Sequence, residues 1–119
     1  DGVRLCIATA TDRHLVEAGL DRCGVLSCFG EIFTCNEVGH GKDEPDIFEA
    51  ALRFLGTRRE ETLVFDDALY AVRTAKEAGF LVAAVYDSHE RSQAEVRARS
   101  DLYLEDLTQL VELQKVLSA

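Results

Sequence analysis

The stretch from Thr62 to Gly79, TLVFDDALYAVRTAKEAG, most constrains what this chain can fold into. A short apolar run ends in the adjacent carboxylates Asp66 and Asp67, and a helical pattern then continues to a glycine. This order predicts a buried strand, an acidic turn and a helix. In an open α/β sheet the ligand crevice lies beyond the carboxyl ends of the strands, so we expect both acids to face a ligand.

The acid pair has two interpretations. Adjacent carboxylates raise each other's pKa unless a cation lies between them, and a hard divalent ion with oxygen ligands, Mg²⁺ first, satisfies both. Alternatively, Asp66 or Asp67 caps the helix that follows, because Asp is a favoured N-cap residue. The pair by itself does not decide between the two, so the rest of the chain has to.

Strands and helices alternate along the whole sequence, which predicts an α/β fold with a mainly parallel sheet. At 119 residues the chain is expected to form one domain at most. We expect Pro45 in the first turn of a helix that ends at Gly56. The predicted strands cover 3–8, 29–35, 63–65, 80–86 and 102–104. Helices are predicted over 12–21, over 45–55, after the acid pair as far as Gly79, and over 93–99. A terminal helix is predicted with Leu107, Leu110, Val111 and Leu117 as its apolar stripe.

Charge and cysteine content narrow the function classes. Thirteen Lys and Arg against 22 Asp and Glu give a net charge of −9, which disfavours nucleic acid and anionic membrane surfaces as partners. The longest apolar stretch, 79–86, is far shorter than the roughly 20 residues that cross a bilayer. Four cysteines without C-x-x-C spacing disfavour zinc and favour reduced thiols in a cytosolic protein.

Three polar signals stand at predicted strand or loop ends: Thr9, Lys42 in the loop 36–44, and the acid pair. Each has a simpler explanation, since Thr9 can be a turn hydroxyl and Lys42 a solvated loop charge. Together they supply a hydroxyl with backbone N–H donors, a cation and a metal-binding acid pair. Phosphoryl transfer requires these groups, because its transition state is stabilised mainly by positioning and electrostatics.

Three segments in this order, LCIATATDR, GKDEPDIFEAAL and LVFDDALYAVRTAKEAG, resemble the second, third and fourth motifs of the haloacid dehalogenase superfamily of phosphohydrolases and phosphomutases. The resemblance is to the branch that contains β-phosphoglucomutase and similar phosphatases. It implies a Rossmann-like, three-layer α/β sandwich. It also implies Mg²⁺ as cofactor, a small phosphorylated metabolite as substrate, and attack on phosphorus by a carboxylate that becomes an aspartyl-phosphate.

The resemblance implies a role for each matching residue. Lys42 would bridge the phosphoryl oxygens and the nucleophile, and Asp67 would bind Mg²⁺ directly, with Asp66 binding it directly or through water. On the phosphate side, Thr9 and the N–H of Ala10 would hold the transferring phosphoryl group, while Thr11, Asp12 and Arg13 would lie towards the substrate.

The family's first motif, Asp-x-Asp after the first strand, supplies the nucleophile, and it does not occur in these 119 residues. We therefore expect residues 1–119 to be the C-terminal part of such a core, without its cap and first strand, and to be inactive alone. That strand would lie between those ending at Thr9 and Asp66, so we expect exposed sheet edges that favour a homodimer. Two alternatives stay open: a receiver domain, whose acid pair and lysine come in the opposite order, and a non-catalytic relative that binds a phosphorylated ligand or a partner.

Overall fold

A computed structural model of the chain describes residues 3–105. Strands and helices alternate along the described residues, and the chain divides into two compact units, residues 1–58 and 59–119. Each unit is described by itself. The predicted terminal helix, with Leu107, Leu110, Val111 and Leu117, lies outside the described residues.

The first unit is built on a pair of parallel strands, β1 (Ile7–Thr9) and β2 (Ile32–Thr34). Their register places Ile7 opposite Ile32 and Thr9 opposite Thr34. Both strands thus end in a threonine at the same edge. Three helices accompany them: α1 (Arg13–Arg22), α2 (Cys35–Val38) and α3 (Asp46–Leu55).

Both strands are shorter than predicted. Each predicted run of strand residues extends beyond the three residue pairs that are in register between β1 and β2. The Leu5 carbonyl still accepts a hydrogen bond from the Gly30 N–H at 2.8 Å, and the Ile7 N–H donates to Glu31. Thr9, predicted to lie in a loop, is the last residue of β1. The prediction of a strand through Cys35 and a loop from Asn36 was wrong, since α2 begins at Cys35.

Helix α3 follows the predicted amphipathic pattern and contacts both strands. Ile47 and Phe48 are buried in the core. The helix ends at Gly56, whose φ of +69° is left-handed, a conformation that glycine adopts without a Cβ clash. Pro45 immediately precedes the helix, one residue earlier than its predicted place in the first turn.

The second unit holds a three-stranded parallel sheet in the order β3 (Leu63–Asp66), β4 (Leu81–Val85), β5 (Leu102–Leu104). Helix α4 (Leu69–Glu77) packs on β3 and β4 and contacts α5 (Gln93–Arg99). Many of the buried side chains of this unit come from the central strand and the two helices, and these include Val72, Ala75, Val82, Ala84 and Val96. Phe80, which immediately precedes β4, and Leu104 of β5 are also buried.

These observations confirm the predicted α/β class with parallel strands. Among the described strands, β1 and β3 each lie at a sheet edge. Phe65 was predicted to lie in a buried strand, but its side chain is 46% exposed. In the described residues β3 is an edge strand with β4 as its one neighbour. None of the helices in the range 3–105 is long and apolar enough to cross a membrane.

Candidate active site

The acid pair lies where the sequence places it, at the carboxyl end of β3. Asp66 is the last residue of the strand and lies opposite Ala84 of β4. Its Oδ1 accepts hydrogen bonds from the backbone N–H groups of Asp67 at 2.8 Å and Ala68 at 3.3 Å. The strand therefore ends in a tight turn that its own carboxylate stabilises.

Neither acid is the N-cap residue of the following helix. Ala68 occupies that position and has no side chain that can accept a hydrogen bond. The first helical N–H, that of Leu69, donates instead to Glu90 Oε1 at 2.8 Å. The capping interpretation of the acid pair therefore does not describe this structure, because the carboxylate of Glu90, from another loop, accepts the hydrogen bond of the first helical N–H.

The surroundings of Asp67 disfavour the ionised form of its carboxyl group. Partial desolvation of its carboxyl group, and then the charges of Asp66 and Asp87, raise the pKa of Asp67 above its ordinary value. Each of these effects disfavours the ionised form. A bound cation would stabilise the ionised carboxylate and so offset all three effects, which makes this turn a candidate cation site.

Two further acids of this unit were missed by the sequence reasoning. Asp87 follows β4 as Asp66 ends β3, and its Oδ1 accepts from the His89 N–H and faces the ring Nδ1, both at 3.1 Å. Glu90 lies in the same loop. The place of Asp87 just beyond a strand was a usable signal, because parallel strands bring their carboxyl ends to one edge.

The donor set suits a hydrated magnesium ion rather than a dedicated metal cage. Within residues 3–105, no group of three or more His, Cys, Asp or Glu side chains is arranged to hold a metal ion. Mg²⁺ keeps several of its waters and commonly takes only one or two carboxylates from a protein. Asp66 and Asp67 offer that number at a strand end, so the residues present fit the ion.

In the first unit, the hydroxyl group of Thr9 organises the turn after β1. Its Oγ1 accepts a hydrogen bond from the Thr11 N–H at 3.1 Å. Ala10 and Thr11 are exposed. The turn thus presents backbone and hydroxyl groups to solvent at the carboxyl end of a parallel strand, where ligands of such sheets bind.

Arg13, predicted to lie towards the substrate, is held by protein groups in this structure. Its guanidinium donates to both oxygens of Glu37, with Nε to Oε2 and Nη2 to Oε1 at 2.9 Å each, and Nη2 also donates to the Ile32 carbonyl. Hydrogen bonding to Glu37 is the main cause that raises the pKa of Arg13. The side chain ties α1 to α2 and to β2.

Lys42 follows α2 in the loop that precedes α3, and it is half-buried. Thr34 caps α2 through a hydrogen bond from the Glu37 N–H at 3.1 Å, and Gly39 ends it with a φ of +95°. An open cavity of about 470 Å³ separates the turn after β1 from this loop. Ala10, Asp12, Cys35, Asn36, Gly39, His40 and Gly41 line it.

The histidines and cysteines do not build a further site in the described residues. His40 is exposed with its Nε2 3.7 Å from Asp46, and His89 is 92% exposed at its side chain. All four cysteines are free thiols. The candidate site residues carry hydroxyl, ammonium and carboxylate groups: Thr9 at the end of β1, Lys42 in the loop before α3, and Asp66 and Asp67 at the end of β3.

Parallel strands accompanied by helices, with an acid pair at the end of β3 and a hydroxyl turn at the end of β1, are typical of Rossmann-like α/β proteins. The family model described as "Hydrolase: haloacid dehalogenase-like hydrolase" matches residues 1–79. The chain belongs to this family, which confirms the resemblance drawn from the three motifs.

Individual relatives agree with this assignment. The chain is 30% identical over 108 residues to validoxylamine A 7'-phosphate phosphatase of Streptomyces hygroscopicus subsp. limoneus. This match covers 91% of the chain and 49% of the relative. It is 31% identical over 117 residues to pyrophosphatase PpaX of Anoxybacillus flavithermus, covering 98% and 54%. CbbY of Rhodobacter sphaeroides, solved in complex with phosphate, is 30% identical with a TM-score of 0.81, covering 92% of this chain and 49% of CbbY.

The chain spans about half the length of the curated relatives it matches. The two curated relatives are named as a phosphatase and a pyrophosphatase.

Proposed function

We propose that this chain is the C-terminal part of the catalytic core of a Mg²⁺-dependent phosphoester hydrolase or phosphomutase that acts on a small phosphorylated metabolite. The observation that carries the proposal is the Asp66 and Asp67 pair at the end of β3. Neither acid is the N-cap of α4, and burial and neighbouring charges raise the pKa of Asp67. Such a carboxylate cluster is stabilised by a divalent cation.

Each proposed site residue has a chemical task. Asp67 and Asp66 would hold Mg²⁺, which when bound supplies positive charge next to the phosphoryl oxygens. Thr9 and the Ala10 N–H would donate hydrogen bonds to the transferring phosphoryl group. Lys42 would stabilise the negative charge that spreads over the phosphoryl oxygens in the transition state. We propose Thr11 and Arg13 as groups on the substrate side.

The nucleophile is proposed to be a carboxylate outside these 119 residues, because the Asp-x-Asp motif of the family does not occur in them. The relatives are about twice as long as the chain, which leaves room for such a segment. Residues 1–119 alone should therefore not hydrolyse a phosphoester, even with millimolar Mg²⁺ (on the order of weakly held, hydrated sites). Robust hydrolysis by that segment would contradict the assignment.

The test uses the protein at its native length, whose intact mass and N-terminal sequence are determined first. Hydrolysis of p-nitrophenyl phosphate is followed with Mg²⁺ and after chelation by EDTA. We expect activity that needs Mg²⁺, and its loss in the Asp67→Asn and Lys42→Ala variants. Glu77→Gln, an exposed surface change on α4, serves as the matched control and should leave the rate unchanged.

A non-catalytic role is the second candidate, favoured by the absence of the Asp-x-Asp motif from these residues. In that case the native protein would bind inorganic phosphate or a phosphorylated sugar without turning it over. Isothermal titration calorimetry combined with the hydrolysis assay separates the two roles. Binding without turnover at native length would replace the enzyme proposal.

We also propose a cytosolic location and an association through a sheet edge. Free thiols, as all four cysteines are here, are typical of reducing compartments. The edge strands β1 and β3 carry backbone groups that another strand can pair with. Sedimentation of residues 1–119 tests the second point, since a monomer at all concentrations would remove the proposed homodimer.

A further inference from the structure

Glu90 connects two backbone segments that are distant in sequence. Its Oε1 accepts a hydrogen bond from the Leu69 N–H at 2.8 Å, and its Oε2 accepts one from the Ser92 N–H at 3.0 Å. Leu69 is the first residue of α4 and lies two positions after Asp67. One carboxylate thus joins the loop after β4 to the start of the helix that follows the acid pair.

The contact with Leu69 satisfies a group that would otherwise lack a partner in the helix. The first N–H groups of a helix have no intrahelical acceptor, and the N-cap residue of α4, Ala68, has no side chain that could supply one. A charged acceptor at this end also interacts favourably with the helix dipole. Such charge-assisted bonds are about twice as strong as neutral ones, so Glu90 holds the start of α4 firmly.

Glu90 is itself fixed by its surroundings. Gln93 Nε2 donates to the backbone carbonyls of Asp87 at 2.9 Å and Glu90 at 3.1 Å. Gln93 Oε1 in turn accepts from the Tyr103 hydroxyl at 2.7 Å. The loop that carries Glu90 is therefore anchored to β5, and the carboxylate reaches α4 from a rigid base.

We propose that Glu90 is a positioning residue, which fixes the turn of Asp66 and Asp67 for cation binding by holding the Leu69 N–H. This inference rests on the proposed Mg²⁺ site. The added negative charge of Glu90 favours a cation at the neighbouring turn.

The experiment compares Glu90→Ala and Glu90→Gln with the unchanged protein, each at native length. The Mg²⁺ concentration for half-maximal hydrolysis of p-nitrophenyl phosphate is measured, together with hydrogen exchange of the Leu69 amide. Glu90→Ala should raise that concentration about tenfold or more, the usual loss when a group that orients a metal ligand is removed. It should also accelerate exchange at Leu69.

Glu90→Gln keeps an oxygen that can accept a hydrogen bond from the Leu69 N–H but loses the second acceptor oxygen. It should therefore retain most of the Mg²⁺ affinity that Glu90→Ala loses.

Glu95→Ala is the matched control. Glu95 accepts from Arg73 at 3.0 Å and from Arg99 at 2.8 Å, so its loss removes the same charge and two surface ion pairs. It should leave the Mg²⁺ requirement and Leu69 exchange unchanged.

The outcomes separate the two proposals. If the unchanged protein shows no Mg²⁺ dependence, the proposed function fails, whatever Glu90 does. If Mg²⁺ dependence is present but Glu90→Ala only lowers the melting temperature and leaves the Mg²⁺ requirement unchanged, the positioning role is overturned. An equal change in Glu90→Ala and Glu95→Ala would also overturn it, because the effect would then be one of total charge.

Discussion

Arg13 and Glu37 form a two-pronged ion pair, with Nε to Oε2 and Nη2 to Oε1 both at 2.9 Å. This geometry matches the planar fork of a guanidinium to a carboxylate. The pair joins the start of α1 to α2, and the Glu37 N–H is held in turn by Thr34 at the end of β2. A residue that the family resemblance placed towards the substrate therefore organises the segment that leads to Lys42.

The Arg13 and Glu37 pair is expected to stabilise the first unit cooperatively. Arg13→Met should destabilise more than Glu37→Gln, because it also removes the donor to the Ile32 carbonyl. A double-mutant cycle of thermal unfolding should give a favourable coupling between the two residues. Additive effects, with no coupling, would contradict the prediction. Arg13→Lys provides the control that keeps the charge and loses the fork.

The decrease in thermal stability at acidic pH should depend in part on Glu95. Hydrogen bonds from Arg73 first, and then from Arg99, hold the pKa of Glu95 below its ordinary value of 4.5. A lowered carboxyl pKa stabilises the fold above the unfolded-state value, and the stabilisation is lost as the pH falls through the folded-state pKa. The melting-temperature difference between the unchanged protein and Glu95→Gln should therefore shrink below about pH 4.5.

The matched control for this pH prediction is Glu77→Gln, which changes an exposed glutamate of α4. Its melting curve should run parallel to that of the unchanged protein across the acid range. A Glu95→Gln difference that stays constant with pH would show that the ion pairs with Arg73 and Arg99 do not contribute.

The bounds of helices and strands were predicted best where a periodic pattern of apolar residues ends at a recognisable residue such as glycine. Helix α3 ends at Gly56, and α5 (Gln93–Arg99) and β5 (Leu102–Leu104) have their predicted bounds. Helix α2 was missed although Thr34 and Glu37 have the spacing of a capping box, a recognised helix-start signal. In a four-residue helix that local signal outweighs hydrophobic periodicity, which needs a longer window to register.

The position of the acid pair could be predicted from the sequence, because two carboxylates follow an apolar run. The hydrogen bonds of the residues around it could not. The bond between Glu90 and Leu69 joins residues 21 positions apart, and no local pattern marks it. The involvement of Arg13 with Glu37 is likewise non-local, 24 positions apart. The roles assigned to Thr9, Lys42, Asp66 and Asp67 stay predictions that the experiments above test.

Ile47 of α3 should be highly sensitive to truncation. Its side chain is fully buried in the first unit, where α3 contacts β1 and β2. Ile47→Ala should cost about 2 to 5 kcal/mol of unfolding free energy, and Ile47→Val about 0.5 to 1.5 kcal/mol. Denaturant unfolding measures both. Ala50→Gly, a change outside the fully buried core of the same helix, separates the loss of packing from the loss of helix propensity.

Asp67→Asn should separate the stability of the acid turn from its function. The pKa of Asp67 is raised in the folded state, so ionising its carboxyl group costs more in the folded than in the unfolded chain, and this lowers stability at neutral pH. In EDTA the Asn variant should therefore melt higher than the unchanged protein. With Mg²⁺ at about tenfold its Kd, the unchanged protein should gain about 1.4 kcal/mol by ligand linkage, and the Asn variant should gain much less. Equal Mg²⁺ stabilisation of both proteins would rule out Asp67 as a magnesium ligand, because removing a direct ligand must weaken the ion's preference for the folded state.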